Sequence, residues 1–299
     1  MKVKLKPALK SYLWGGTKLK TEYGKHGDDI ISEAWELSFH KDGPSVIDGG
    51  EYDGKELKEV ATKDDFGENC KDFPFFPVLI KLIDAKKPLS IQVHPSDDYA
   101  LKNEGQFGKT EMWHILDAED GAFLYLGLNR SVTKEEFAAA IENKTVCDIL
   151  NKVPVKKGET YFIESGTIHA IGAGITLYEV QQNSSLTYRV YDFDRTDAFG
   201  NKRELHVEKA KAVANLKKFS VPDPERDELL GKCKYFATYR LKGTKKIGKE
   251  DSFVCATVIN GEYKAGDVSL KKGDTYFMSA GERETLLGDG EFILSCVEK

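Results

Sequence analysis

The alternation of apolar and polar residues along the chain predicts many short β-strands separated by turns. Runs rich in Val, Ile, Tyr and Phe recur at short intervals and are broken by Gly, Asp and Asn, a composition that favours strands. Their close spacing favours an antiparallel sandwich or barrel over βαβ units. The predicted strands include PVLIKLIDA (77–85), LSIQVHP (89–95), AFLYLGL (122–128), ETYFI (159–163) and ITLYEVQQ (175–182).

Helical periodicity is confined to three segments, and we predict helices at about 54–66, 133–152 and 204–216. Thr133 followed by Glu136 forms a capping-box signature at the start of the second segment. In the third segment, apolar residues recur with the period of an amphipathic helix. The predicted fold class is therefore mainly β, with a small helical insertion.

An eleven-residue stretch occurs twice, as KKGETYFIESG (156–166) and KKGDTYFMSAG (271–281), with seven identical positions. Duplication of one β-barrel unit explains the repeat, although a charged hairpin entry of this kind is also common by itself. Between the copies, SVPDPERDE (220–228) carries two prolines and several charges, which is typical of a linker. We therefore predict two β units, residues 1–219 and residues 220–299.

Composition and charge narrow the functional classes. The 299-residue chain is 40% hydrophobic, enough to build a core, and its net charge of −5 without a basic block makes nucleic acid an unexpected partner. The N-terminus MKVKLKPALK lacks the apolar segment of a signal peptide, and no apolar run is long enough to predict a membrane span. The five cysteines include no CxxC pair and favour reduced thiols, so we predict a cytoplasmic protein.

Polar residues on one face of two predicted strands indicate a metal site. In LSIQVHP, the alternation of side chains puts Gln92 and His94 on the same face, and KTEMWHIL (109–116) offers Glu111 on a second strand. Buried polar groups without partners cost about 1–3 kcal/mol each, and one divalent cation would satisfy them together. With His169 the set is two histidines, a carboxylate and an amide. Zinc is the first metal that we expect to bind this set, and iron or manganese would accept much the same ligands.

Only the first copy of the repeat is followed by a histidine. His169 lies three residues past it, whereas Glu284 occupies the equivalent place after the second copy. We therefore predict that the metal lies in the first unit and that the C-terminal unit is metal-free. A histidine is more often an ordinary surface or core residue than a ligand, and this alternative stays open for His94 and His169.

Charged residues inside other apolar stretches suggest further members of a site. Lys81 interrupts PVLIKLIDA, and an ammonium buried there requires a counter-ion or an anionic ligand. Arg189, between Tyr188 and Val190, presents a planar fork suited to phosphate. Either cation could instead pair with a structural carboxylate. In the strand SEAWELSFH (32–40), one of the carboxylates Glu33 and Glu36 is expected to face the site.

At these residues the chain resembles the short bacterial type I mannose-6-phosphate isomerases, or phosphomannose isomerases, of the cupin superfamily. IQVHP together with KTEMW is specific to that family, and the resemblance extends over about the first 200 residues. The segments that carry it are SYLWGGTKL (11–19), ISEAWELSFHKDGPS (31–45), LIKLIDAKKPLSIQVHP (79–95), KTEMW (109–113), IESGTIHAIG (163–172) and QQNSSLTYRVYDFDR (181–195).

The resemblance implies two cupin (jelly-roll) units and a zinc enzyme, with one Zn²⁺ per chain, that interconverts mannose 6-phosphate and fructose 6-phosphate through an enediolate. By this resemblance the metal ligands are Gln92, His94, Glu111 and His169. The active-site arginine is Arg189, and the polar residues that line the pocket are Lys81, Ser90 and Lys109. Many relatives carry an acid four residues before that arginine, where this chain has Ser185.

The group that moves the proton is not fixed by the sequence. Arg189, Lys109 and Glu36 are the candidate catalytic residues. For the proton transfer itself, Glu36, Lys109, a metal-bound water or another group could serve. The expected partner is a small sugar phosphate, and the expected state is a monomer or a weak homodimer. Two other functions stay open, a different metal-dependent cupin enzyme (a dioxygenase or an epimerase) and a non-catalytic sugar-phosphate-binding protein.

Overall fold

The computed structural model describes residues 1–196 and 199–299, and in them the protein is mainly β, as predicted. The strands are β1 (Lys2–Lys6), β2 (Ala8–Lys10), β3 (Glu33–Leu37), β4 (Val46–Ile47), β5 (Val78–Ala85), β6 (Ile91–Val93), β7 (Glu111–Ala118), β8 (Phe123–Leu128), β9 (Leu150–Pro154), β10 (Thr160–Ile163), β11 (His169–Ile171), β12 (Ile175–Gln182), β13 (Tyr188–Tyr191), β14 (Leu229–Lys232), β15 (Ala237–Lys242), β16 (Lys245–Ile247), β17 (Val254–Asn260), β18 (Glu262–Ala265), β19 (Val268–Lys271), β20 (Thr275–Met278), β21 (Glu284–Gly288) and β22 (Glu291–Cys296).

The helices are short. They are α1 (Lys18–Thr21), α2 (Leu57–Val60), α3 (Lys63–Phe66), α4 (Asp97–Asn103), α5 (Lys134–Glu142) and α6 (Val207–Val213), with 3-10 turns at Glu68–Cys70 and Val146–Ile149. Helices lie in all three predicted segments, and the Thr133 hydroxyl accepts the predicted cap bond from the Glu136 N–H at 3.1 Å. The predicted helix over 133–152 is too long, because α5 ends at Glu142, two residues before Lys144 with its φ of +61°, and β9 starts at Leu150. No described helix is both long and apolar enough to cross a membrane.

Four antiparallel sheets are arranged as two sandwiches. The outer N-terminal sheet has the order β13-β6-β11-β8-β9, and the inner N-terminal sheet has the order β10-β7-β12-β5-β3-β2. The inner C-terminal sheet has the order β14-β15-β22-β17-β20-β1-β4, and the outer C-terminal sheet has the order β16-β21-β18-β19. Because β1 and β4 pair within the inner C-terminal sheet, the first residues of the chain complete the second sandwich. The division between residues 219 and 220 stays a prediction.

Four apolar clusters fill the spaces beside these sheets. One lies between the two N-terminal sheets and includes Trp113 and Leu124, and another joins the two inner sheets. A third packs α5 and α6 against the outer N-terminal sheet, where Ile91 and Val93 face Phe137. Alternation along β6 therefore turns Gln92 away from the helices and toward the interior of the first sandwich.

The repeated stretch forms the same turn in both sandwiches. The first glycine of each copy, Gly158 or Gly273, has a φ of +88° or +95°, a region that side chains with a Cβ rarely adopt. The acidic residue that follows, Glu159 or Asp274, accepts a 2.8 Å hydrogen bond from the backbone N–H three residues earlier. The two copies then continue as β10 and β20, one in each inner sheet. The shared local geometry explains why the same residue types recur.

Candidate metal centre and active site

Three of the four predicted metal ligands meet inside the first sandwich. His94 directly follows β6, Glu111 and His169 begin β7 and β11, and the ligand atoms of the three residues all lie within 4.8 Å of one another. All three side chains are 1% exposed or less. The group joins the outer and inner N-terminal sheets, because β6 and β11 belong to one and β7 to the other. Residues far apart in sequence therefore converge on a single buried point.

Both imidazoles are oriented by backbone carbonyls. The Nδ1 atoms of His94 and His169 lie 2.8 Å from the carbonyl oxygens of Leu186 and Thr167, which leaves each Nε2 facing Glu111 at 3.6 Å and 3.2 Å, respectively. A hydrogen bond between the ring nitrogen that does not face the metal and a backbone carbonyl is a usual way in which a metal-binding histidine is oriented. Burial, reinforced by the nearby Lys109 ammonium, lowers the pKa of His169 to about 3 and that of His94 well below its usual value. Both rings are neutral at pH 7, the form that binds a metal.

Gln92, the fourth predicted ligand, lies in the same row of side chains. It is directly opposite His169 on β11 and directly opposite Arg189 on β13, so the three residues share one face of the outer N-terminal sheet. Its amide nitrogen is 3.3 Å from His169 Nε2. The amide therefore borders the His94, Glu111 and His169 group on the side toward Arg189.

These donors fit a divalent cation. Glu111 Oε1 is buried and has no hydrogen-bond partner among the described residues, and burial raises the pKa of Glu111 to about 7 although Lys109 opposes this. The Lys109 ammonium contacts the other carboxylate oxygen and lies 3.2 Å from His94 Nε2, so this point already attracts positive charge. Two neutral imidazoles, a carboxylate and an amide match the ligand preferences of zinc, and also those of iron and manganese.

Lys81 has the counter-ions that its burial requires. Its ammonium lies 3.0 Å from Glu179 on the neighbouring strand β12 and 3.6 Å from Glu33 on β3. Burial alone would raise the pKa of Glu179, but the ammoniums of Lys109 and Lys81 hold it at about 2. The Trp113 indole N–H also donates to this carboxylate, at 2.7 Å. A buried ionic network thus runs from Glu33 to the metal group.

Sequence reasoning missed Glu179, although a signal for it was present. In ITLYEVQQ the alternation puts Glu179 in a row with Ile175 and Leu177, so a charge interrupts an apolar face. The same signal identified Lys81. Because the two residues are directly opposite each other in the sheet, each explains the burial of the other.

Glu36, a predicted catalytic residue, lies apart from the metal group and does not line the cavity beside it. Its carboxylate is fully buried on the other face of β3, 2.6 Å from the Lys25 ammonium, and it accepts a 3.0 Å hydrogen bond from the Thr275 hydroxyl of β20. Alternation along β3 gives Glu33 and Trp35 the face that lines the cavity and gives Glu36 the face toward the C-terminal sandwich. Glu33 is therefore the carboxylate of this strand that reaches the site.

A cavity of about 340 Å³ opens beside the metal group. Its lining includes the predicted pocket residues Lys81, Ser90 and Lys109 and the predicted active-site residue Arg189. Also lining it are Gln92, Glu33, Trp35, Glu179, Ser185 and Arg203. The Arg189 guanidinium donates to the carbonyl oxygen of Glu204 at 2.8 Å, while its buried Nε has no hydrogen-bond partner in the described part of the chain. Burial lowers the pKa of Arg189, which indicates a cation that is incompletely compensated by its surroundings.

Known proteins resemble the chain over nearly its whole length. The family description "phosphomannose isomerase type I, catalytic domain" matches residues 2–116. Mannose-6-phosphate isomerase ManA of Bacillus subtilis is 37% identical over 308 residues, covering 97% of both chains, and the mannose-6-phosphate isomerase of Streptococcus mutans is 35% identical over 286 residues, covering 90% of each. The crystal structure of the mannose 6-phosphate isomerase from Bacillus subtilis superposes with a TM-score of 0.88 at 34% identity, over 98% of this chain and 99% of that one.

Proposed function

The chain belongs to the type I phosphomannose isomerase family, and from this premise we propose that it interconverts mannose 6-phosphate and fructose 6-phosphate at a single bound zinc ion. The relatives that share the full length carry that activity in their names. The observation that carries the proposal for this chain is that Arg189, Gln92 and His169 lie side by side on three neighbouring strands. Arg189, at one end of this row, is of a type that binds phosphate, and His169, at the other end, is of a type that binds a metal.

The spacing of this row suits the substrate. Neighbouring strands lie about 4.8 Å apart, so two strand spacings separate Arg189 from His169 by roughly 10 Å. In a hexose 6-phosphate, the reacting carbons C1 and C2 and the phosphate are at opposite ends of the carbon chain. A molecule of that length can reach Arg189 with its phosphate while C1 and C2 approach the metal group. Binding at the remote phosphate then fixes the position of the reacting carbons.

The metal would be held by Gln92, His94, Glu111 and His169. When bound, zinc would act as a Lewis acid that polarises the sugar oxygens and stabilises the negative charge of the enediolate. The chain's own contribution is orientation: the carbonyls of Leu186 and Thr167 fix both imidazoles, and the buried position of the group excludes bulk water.

Lys109 is our candidate for the group that moves the proton between C1 and C2. It lines the cavity, it contacts Glu111, and its ammonium lies 3.2 Å from His94 Nε2. Glu179 is a poorer candidate, because a carboxyl with a pKa of about 2 holds a proton weakly at neutral pH. In this proposal Glu179 keeps Lys81 charged and holds the side chains of Lys81 and Lys109 in place.

A coupled assay on mannose 6-phosphate, with and without a chelator, tests the proposal. We expect turnover that the chelator abolishes and that added zinc restores. Full turnover in protein shown to be metal-free would refute the metal mechanism. Saturable binding of the sugar phosphate without turnover would indicate the non-catalytic alternative, and a requirement for iron and oxygen would indicate a different cupin enzyme.

A further inference from the structure

A second guanidinium, that of Arg203, lines the same cavity as Arg189. Arg189 also contacts the segment that carries Arg203, because it donates to the carbonyl of Glu204, the next residue. After burial, the largest cause that lowers the pKa of Arg189 is the positive charge of Arg203. Two like charges thus face one cavity from two segments of the chain.

The carboxylate that compensates Arg203 is shared. Arg203 Nε donates to Asp192 Oδ2 at 2.8 Å and a second nitrogen donates to Asp192 Oδ1, while Arg195 donates to the same carboxylate. Asp192 is only 5% exposed, so it holds the guanidiniums of Arg203 and Arg195 in fixed orientations. Arg195 alone would neutralise Asp192, which leaves Arg203 as an excess cation.

The remaining hydrogen-bond donors of Arg189 and Arg203 have few acceptors. In residues 1–196 and 199–299 no acceptor takes a hydrogen bond from Arg203 Nη1, and the buried Nε of Arg189 is likewise without one. No carboxylate in the same ranges forms an ion pair with Arg189. Keeping two half-buried guanidiniums together at this point is unfavourable unless an anion joins them.

We propose that Arg203 is a second phosphate-binding residue, which Asp192 holds in place so that it and Arg189 grip the phosphate of the sugar from two sides. This inference rests on the proposed function. A pair of planar forks matches a phosphate dianion better than a single cation does, because each can donate two parallel hydrogen bonds. The pair would select phosphorylated sugars over neutral ones, since without the anion the two charges repel each other.

The test compares Arg203→Gln with the neighbouring Lys202→Gln. Both substitutions remove one positive charge from adjacent positions, but Lys202 is exposed, pairs with Asp194 at 2.7 Å and does not line the cavity. We expect Arg203→Gln to raise the KM for mannose 6-phosphate about 10- to 100-fold, as for loss of a hydrogen bond to a charged group, and to lower kcat by a smaller factor. Lys202→Gln should leave both values close to those of the wild type.

The conservative variant Arg203→Lys keeps the charge beside Asp192 and loses the fork, so its KM should fall between the wild type and Arg203→Gln. It also decides the question if Arg203→Gln does not fold. Bound zinc and the unfolding midpoint should be unchanged in the variants that fold. If the wild type turns over mannose 6-phosphate but neither Arg203 variant raises KM more than Lys202→Gln, the second phosphate contact is refuted. If the wild type itself does not turn over this substrate, the proposed function has failed instead.

Discussion

The buried ion pair between Lys25 and Glu36 offers a direct test of where the site ends. The two side chains are 6% and 0% exposed, their charged atoms lie 2.6 Å apart, and the pair joins β3 to the C-terminal sandwich through the Gly273 carbonyl and the Thr275 hydroxyl. Burial raises the pKa of Glu36, with Lys25 opposing the rise, so ionising this carboxyl in the folded protein is costly. The pair therefore joins the two sandwiches at a considerable desolvation cost.

Glu36→Gln would leave the Lys25 ammonium buried without a counter-charge. Breaking a buried pair from one side costs about 3–5 kcal/mol, whereas replacing both partners often costs much less. In a chain of this size we expect the unfolding midpoint to fall by roughly 6 °C or more. The double variant Lys25→Met with Glu36→Gln should be less destabilised than the sum of the two single variants, and the difference measures the coupling between them.

The assay combines denaturant unfolding with turnover of mannose 6-phosphate well below the unfolding midpoint. Glu36→Gln should keep the turnover of the wild type per folded molecule, because the cavity lies on the other face of β3. The matched variant Glu33→Gln changes the face that lines the cavity and should lower kcat/KM, since Glu33 lies 3.6 Å from the Lys81 ammonium. Loss of turnover with unchanged stability in Glu36→Gln would contradict this reasoning and restore Glu36 as a catalytic residue.

Three further predictions concern separate parts of the molecule. His94→Ala should reduce bound zinc and turnover together, as metal analysis beside the coupled assay would show, while near-wild-type metal content would argue against His94 as a ligand. Gly273→Ala should destabilise the protein more than Gly158→Ala, because both have positive φ but only at Gly273 would the new Cβ meet a backbone oxygen, 2.2 Å away; equal unfolding midpoints would contradict this. Contacts with Lys249 hold the pKa of Glu298 at about 2 against the effect of burial, so this carboxylate should stabilise the fold above pH 4.5 and lose its contribution, about 1 kcal/mol, as the pH falls toward 2. Urea unfolding of wild type and Glu298→Gln at several pH values would check this, since their difference must shrink in acid.

The sequence predicts the longer strands of the N-terminal unit because the apolar and polar pattern that defines them is local. Strands β5, β8 and β12 lie within the stretches predicted from their apolar and polar pattern. Helix α4 was missed although Ser96 and two acidic residues in its first turn provide a start signal. Helix α1 has a single turn, which is too short to show a helical period. Local patterns therefore predict elements well only when the elements are long enough to repeat.

The composition of the site was predictable where a residue type alone indicates chemistry. His94, Glu111 and His169 stand out because a metal explains buried donors on the polar faces of strands. Which side of β3 faces the cavity depends on the packing of a second sandwich against it, and no local pattern reports that packing. Likewise, the partner of Lys81 is Glu179 on a distant stretch of chain, so their pairing becomes visible only when β5 and β12 are seen to be neighbours.

Comparison of the two copies of the repeat separates what the fold requires from what the chemistry requires. Both copies keep the glycine turn, because a positive φ is needed at the same point of each sandwich. The residue three positions past the end of each copy differs. His169 begins β11 inside the metal group, whereas Glu284 begins β21 and lies 3.0 Å from the Lys2 ammonium of β1. The same position thus supplies a buried neutral ligand in one sandwich and, in the other, a partly exposed ion pair that ties the start of the chain to the second unit. No histidine occurs after residue 206, so the duplicated framework is retained in the C-terminal unit without the imidazoles on which our zinc proposal depends.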